Sequence, residues 1–407
     1  MGQTPSGEPR GDPKRANLMI LALAPIFLDV GFLQVVITAW LPTVGITPFQ
    51  VGVLLTVQGI LAVASSIPLG IASDIYGRKT ILTVGVLAGS VGFMLYAASV
   101  DFGVLLVASA VLGFAEGSSV SVWNALLADL TDTDTRNKVF SHSYVMISIA
   151  SGVGLLLPGL FPVIQAWVGA SIYSIHRSML LILGVVSFAS PAGVVAILRG
   201  HRETHNPTRK FGGFRNMGTL AKLGLVGGSI GFGAGFIIPL VGTWFLLRFD
   251  VGDYYSGPVL AISSILIGLA AFAAPKMATK YGQLNAIVIT AGSSVVFMLA
   301  MAFVPEVNLA AAFYVVRTGL SNMNGPLMDS FSISLFPADQ RGLVSAATNT
   351  IFRLPNSVST SFGGYLLGVG LLAYPFIIAS ALYAVGLSAF FAFFIASRKY
   401  SKVMAQG

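Results

Sequence analysis

Four charged residues lie inside long apolar runs: Asp29 in IFLDVGF, Glu116 in GFAEGSS, Arg317 in YVVRTGL and Arg353 in TIFRLPN. A charge at the centre of an apolar helix in a bilayer costs roughly 2.5–3.5 kcal/mol or more, so each must meet a partner or water. The two acids fall in the first half of the chain and the two bases in the second. That division suits ion pairs, or a polar cavity, between two halves. A carboxylate in a partly dry cavity favours its protonated form, and a neighbouring cation favours its ionised form. Asp29 and Glu116 are therefore candidate proton carriers. Arg317 and Arg353 are candidate switches on them, or clamps for an anionic substrate. Static salt bridges that lock helix packing are the plain alternative for all four.

Other polar side chains in the same runs are weaker candidates. Asn324 and Asp329 fall towards one end of a run and could line the mouth of a cavity. Asn322, Gln34 and Gln58 suit cross-helix hydrogen bonds, and Gln34 also suits a cavity wall. Trp123 could stack on a substrate or simply pack. Nothing points to catalysis. There is no cysteine, which removes disulfides, thiolate metal sites and thiol nucleophiles. GGSIG at 227–231 matches G-x-S-x-G, but that pattern marks a nucleophile only at a strand–turn–helix elbow. Here its glycines read as close packing that lets the seventh run bend. The four histidines show no metal-ligand spacing, and Asp129, Asp132 and Asp134 read as a solvated loop. No cofactor or metal is called for, and no enzyme activity is expected.

The elements that carry these residues must be membrane helices. The 407 residues are 55% hydrophobic and 9% charged, against roughly a quarter charged in soluble domains. The mean hydropathy is +0.84. Runs near 17–41, 48–71, 80–99, 103–127, 141–163, 178–198, 219–247, 255–277, 284–304, 308–332, 343–367 and 371–396 are long enough to span. Each must be helical, because lipid offers no partner to backbone N–H and C=O groups. The fold class is therefore an all-α membrane protein of twelve transmembrane helices. With the N-terminus inside, only Arg177 and Arg248 of the 23 Lys and Arg fall on outer segments, and Arg317 and Arg353 stay within spans. This positive-inside bias puts both termini in the cytoplasm. Residues 1–16 read as a disordered tail and 397–407 as a second tail. The basic loop 199–218 divides a first half, 17–198, from a second, 219–396. The net charge of +8 belongs to these cytoplasmic segments rather than to nucleic-acid binding.

The halves repeat at an offset of 205 residues. Gly52 maps to Gly257, Gly77 to Gly282, Arg136 to Arg341, and Pro158-Gly159 to Gly363-Gly364. Four matches at one offset, each at the same point of its half, argue for duplication in parallel orientation.

The loop GIASDIYGRKT at 70–80 joins the second and third runs tightly. Gly77 permits the turn. Asp74 ends a helix, where the negative end of the dipole disfavours it unless a cation or another helix N-terminus faces it. The stretch reads as a latch between halves, or as a charge cluster that pins the loop inside. Gly70, Asp74, Gly77, Arg78 and Lys79 form G-x-x-x-D-x-x-G-R-K, which resembles the loop 2–3 motif of the major facilitator superfamily. The twelve runs, the 6+6 repeat and a degenerate copy at 275–285 agree with that resemblance, which covers the chain past residue 16. Where that family often has an arginine after the aspartate, this chain has Ile75. The resemblance implies that the motif stabilises the outward-open state. It also implies that spans one, four, seven and ten line a central cavity holding Asp29, Glu116 and Arg317. SGVGLLLPG at 151–159 only partly resembles the family's drug-antiporter motif, and Gly113 stands where an arginine is usual in span four.

The expected activity is alternating-access secondary transport of a small organic solute, coupled to protons through Asp29 and Glu116. Drug-like efflux and organic-anion transport are its two versions. A polytopic receptor or sensor, or an uncoupled facilitator, is the alternative. The expected setting is the plasma membrane, as a multi-pass monomer with a small-molecule substrate, protons and the lipid bilayer as partners.

Overall fold

The computed structural model describes residues 12–200, 216–337 and 340–396. The tail 1–11, most of the central loop and the tail 397–407 lie outside the described residues. Among those described there are helices and turns and no strands.

Twelve helical segments follow in order: α1 Pro13–Val44, α2 Pro48–Tyr76, α3 Arg78–Ala98, α4 Phe102–Asp129, α5 Asp134–Val168, α6 Ile172–Ile197, α7 Met217–Phe249, α8 Asp253–Tyr281, α9 Gln283–Met301, α10 Val307–Ser334, α11 Arg341–Gly368 and α12 Tyr374–Ile395. The first begins four residues before the expected run, inside the segment read as a tail, with Asp12 accepting from the Arg15 N–H as its cap. Among the described residues, nine of these segments are long and apolar enough to cross a membrane, and α8 makes a tenth as a pair bent by 53°. Pro275 removes the hydrogen bond to residue 271, where that bend lies. The remaining two, α10 and α11, are more polar and carry Arg317 and Arg353. Contacts with α8 and α9 shield α10, and contacts with α2 and α7 shield α11.

The offset of 205 is written into the helix bounds. α2 and α4, moved by 205, give the bounds of α8 and α10. Gly77 and Gly282 each close one helix and open the next, at φ +93° and +78°, where a Cβ would strain the turn. The first six helices meet the last six along α2·α11 and α5·α8. Both contacts depend on bare backbone. A Cβ on Gly52 would sit 2.7 Å from the Thr360 carbonyl oxygen, and one on Gly257 would sit 2.4 Å from that of Leu155. Residues 155 and 360 are themselves 205 apart, so the two contacts are copies of each other.

Other helices are interrupted near proline and glycine. α1 changes to a π turn at Val36–Trp40 and a 3-10 turn at Leu41–Val44, α5 to a 3-10 turn at Leu157–Leu160, and α7 to one at Ile238–Leu240 after Gly235. The glycine-rich seventh run, expected to bend, is interrupted there by the 3-10 turn. The aromatic core, with Phe32, Trp40, Phe161, Trp244 and Phe245, gathers at the end of the bundle far from the termini.

Candidate functional site

A cavity of about 770 Å³ opens within the bundle, in the range that holds drug-sized ligands. Its wall runs along α1 from Leu23 to Thr38, along α3 from Leu82 to Phe93 and along α4 from Leu112 to Asn124, so it extends from mid-bundle towards the end bearing the termini. α2 adds Leu55 and Gln58, α5 adds Ile147, and the break in α7 adds Pro239. Most of the wall is apolar, with Phe27, Phe93 and Trp123 as aromatic faces.

Asp29 and Glu116 both line this cavity, as expected, and they differ sharply. Asp29 is 1% exposed, and neither carboxylate oxygen has a hydrogen-bond partner among the described residues. Ser187 faces it from α6, but the Ser187 hydroxyl donates to the Gly184 carbonyl at 2.8 Å. Glu116 is paired. Arg353 Nη1 donates to its Oε1 at 2.7 Å, joining α4 of the first half to α11 of the second. The two side chains are 37% and 43% exposed, so water reaches the bridge and weakens it.

The expected four-way grouping is otherwise corrected. Arg317 is not in the wall. It is 3% exposed, and Nη2 donates to the Tyr383 hydroxyl of α12 at 3.0 Å, with the guanidinium over that ring at 5.7 Å. Ser294 of α9 donates to its carbonyl. The face of α10 that carries Arg317 and Tyr314 turns into the second half's own core, so α10 adds no residue to the wall. Asn324 and Asp329 are also outside the wall: Asn324 Oδ1 is buried without a partner among the described residues, and Asp329 is exposed. Gln34 does face the cavity. Trp123 lines it, 8% exposed, its indole N–H donating to Ser143 at 2.9 Å.

The motif residues bind within the first half here. Arg78 pairs with Asp129 and donates to the Ala125 carbonyl at 3.0 Å, both on α4. It also approaches Asp74 at 3.9 Å. Lys79 donates to the Leu198 carbonyl beyond the end of α6 at 3.0 Å. A Cβ on Gly70 would sit 3.6 Å from the Ser121 Cβ, an ordinary contact. The cation that Asp74 needs is thus supplied one turn along its own loop, and in this conformation these contacts tie α2, α4 and α6 together.

Further contacts join the halves at the far end. The Thr243 hydroxyl donates to the Thr38 carbonyl at 2.5 Å, and these residues are again 205 apart. Beside them His176 of α6 meets Asp253 of α8. The two residues lie 77 positions apart in the sequence, and a histidine at the edge of an apolar run was the one available signal. Ser119 and Asn124, both on the cavity wall, share a face with Glu116 and Trp123 at three- and four-residue spacing on α4 and were legible only by that spacing.

Comparison with known proteins agrees with this architecture. The Major Facilitator Superfamily family matches residues 19–360. A tetracycline resistance protein, class H, from Pasteurella multocida is 27% identical over 265 residues, covering 63% of this chain and 64% of its own length. The quinolone resistance protein NorA of Staphylococcus aureus is 26% identical over 135 residues, a third of each chain. Among solved structures, a bacterial homologue of the human lysosomal transporter Spinster in an inward-facing, occupied conformation superposes with a TM-score of 0.74 at 15% identity, covering 96% of this chain and 97% of its own. The nucleoside transporter NupG superposes at 0.72 and 15%, covering 93% and 99%. The chain belongs to the major facilitator superfamily and is a multi-pass membrane protein.

Proposed function

We propose that the protein is a proton-coupled efflux transporter for amphiphilic compounds, cationic or neutral, in the plasma membrane, with both termini cytoplasmic. The observation that carries this is Asp29, an unpartnered carboxyl group in the wall of an apolar cavity. An ionised carboxylate without water or a partner is far costlier than a protonated one, so exposure and burial of Asp29 exchange a proton. The bases do not make an anion clamp: Arg317 faces away from the cavity, and Arg353 is held by Glu116. With that pair neutralised, Asp29 is the charge left for a cationic cargo to meet, among aromatic and aliphatic faces that suit a hydrophobic body. The names of the relatives, resistance proteins for tetracycline and for quinolones, agree with cargo of drug size. The basic inner segments support the orientation, in which the cavity faces the cytoplasm and the far end faces out. The motif at Gly70–Lys79 then serves as a latch in the opposite state, when the inner ends close.

The test is transport in proteoliposomes with an imposed pH gradient and a lipophilic cationic dye as cargo. Dye movement driven by the gradient, lost in Asp29→Asn, is expected. Gradient-driven movement of an organic anion and none of the dye would overturn the cargo class. Dye flux indifferent to the gradient would make the protein an uncoupled facilitator.

A further inference from the structure

We infer that the far-end seal between the halves contains a second proton-binding site, the His176–Asp253 pair, which closes only when it has taken up one proton. The inference does not depend on the cargo; only its assignment to the outside rests on the orientation proposed above.

The argument is a count of hydrogens. His176 Nδ1 lies 2.8 Å from the Ile172 carbonyl oxygen. That oxygen only accepts, so Nδ1 carries the hydrogen. His176 Nε2 lies 2.5 Å from Asp253 Oδ2. A neutral imidazole with its hydrogen on Nδ1 has none on Nε2, and an ionised carboxylate has none either. Two bare acceptors would repel at this distance, so one more proton must sit between them, on either atom. No water can stand in for it, because His176 is 0% and Asp253 6% exposed. The other carboxylate oxygen is occupied by the Tyr254 N–H.

The surroundings hold this arrangement in place. The imidazole lies flat on the Trp40 indole at 4.8 Å and 7°, a face that favours a cation, and edge-on to Phe161 at 4.7 Å. The other ionisable groups of this end are engaged elsewhere or exposed. Arg177 donates to the Ala98 carbonyl, and the Tyr96 hydroxyl is joined to Ser109. Asp101 and Glu306 cap α4 and α10, and Tyr255 donates to Asn308. Tyr173, Tyr254, Arg248 and Asp250 are exposed.

His176 belongs to the first half and Asp253 to the second, so opening the far end must part them. Once parted and wetted, an imidazole is mostly neutral above about pH 6.5 and the carboxylate is ionised. Opening therefore releases one proton and closing takes it back. In the proposed orientation this proton comes from the outside and returns there; it is not the one carried by Asp29. Acid outside favours the closed seal.

The chain has no cysteine, so labels can be placed by single substitutions. Trp167→Cys and Phe303→Cys, at far-end positions 87% and 66% exposed, put one spin label on each half. Distances are read by double electron–electron resonance on the full chain in lipid nanodiscs, in an Asp29→Asn background that removes the cavity carboxylate. The short-distance population should gain on the long one by up to about tenfold per pH unit as pH falls from 9 to 7, the slope of a one-proton equilibrium. Asp253→Asn supplies its own N–H to Nε2, and His176→Gln supplies its own to the carboxylate. Either variant should hold the short distance without a pH slope. A slope unchanged in either variant, or no slope in the protein that keeps both residues, overturns the inference. Neither result bears on dye transport, so the proposed cargo stands or falls separately.

Discussion

At the scale of single residues, the four charges within the helices separate into three kinds of chemistry. Among the described residues Asp29 has no hydrogen-bond partner, Glu116 and Arg353 hold each other, and Arg317 is held by an aromatic hydroxyl and ring. Asp29→Asn should reduce gradient-driven dye efflux to the level of empty liposomes, and dye binding measured by fluorescence should weaken. The Glu116–Arg353 bridge predicts a different result. A part-exposed pair contributes about 1 kcal/mol or less, which is still about a fivefold change in a two-state ratio. Glu116→Gln and Arg353→Gln should each shift the far-end label distances towards the open population by up to that factor. The double variant should shift them no further than either single one, because one contact is lost in every case. Additive shifts would show that the two residues act separately.

At the scale of helices, the places where backbones touch are the most exacting. The Gly52 and Gly257 positions leave no room beside the Thr360 and Leu155 carbonyls. Gly52→Ala or Gly257→Ala should destabilise the protein by about 1–3 kcal/mol, as overpacking does, and slow transport. Gly292→Ala, where nothing lies within 4 Å of the added carbon, should be silent in the same thermal-unfolding and efflux assays. The start of α10 gives a pH test. Glu306 accepts from the Asn308 and Leu309 N–H groups, and these bonds hold its carboxyl below the usual glutamate range. A lowered value means the cap contributes above the unfolded range of about pH 4.3 and fades as the pH falls through its folded value. Glu306→Gln should therefore lower Tm at neutral pH, and the difference from the parent should shrink in acid.

At the scale of the whole molecule, the seal at one end and the cavity at the other describe one of the two states an alternating-access transporter must visit. Asn124 is exposed on the cavity wall near the end bearing the termini. Asn124→Cys should react with a membrane-impermeant thiol reagent in inside-out vesicles and stay protected in right-side-out ones. The reverse pattern would invert the proposed orientation. Mild acid outside should increase the labelling, since it favours the far-end seal and with it the open inner cavity.

The sequence by itself determined the solvent, the element type and the repeat. A chain with so few charges had to use lipid as solvent, lipid required helices, and an offset of 205 recurs in the bounds of α8 and α10. The opening loop was legible in the same way, since Gly77 had to turn where no bulkier residue could. Which way each polar side chain points was not legible. A helix span long enough to cross a bilayer presents every direction to its neighbours, and α10 is apolar enough on several faces to leave Arg317 free to turn inward or outward. Tertiary packing decided it, turning Arg317 to Tyr383 and away from the cavity. It decided the partner of Asp74 too, because the distance between the inner ends of the halves depends on the conformation adopted. The His176–Asp253 contact itself was not legible, for a hydrogen bond between residues 77 positions apart exists only when two halves close on each other.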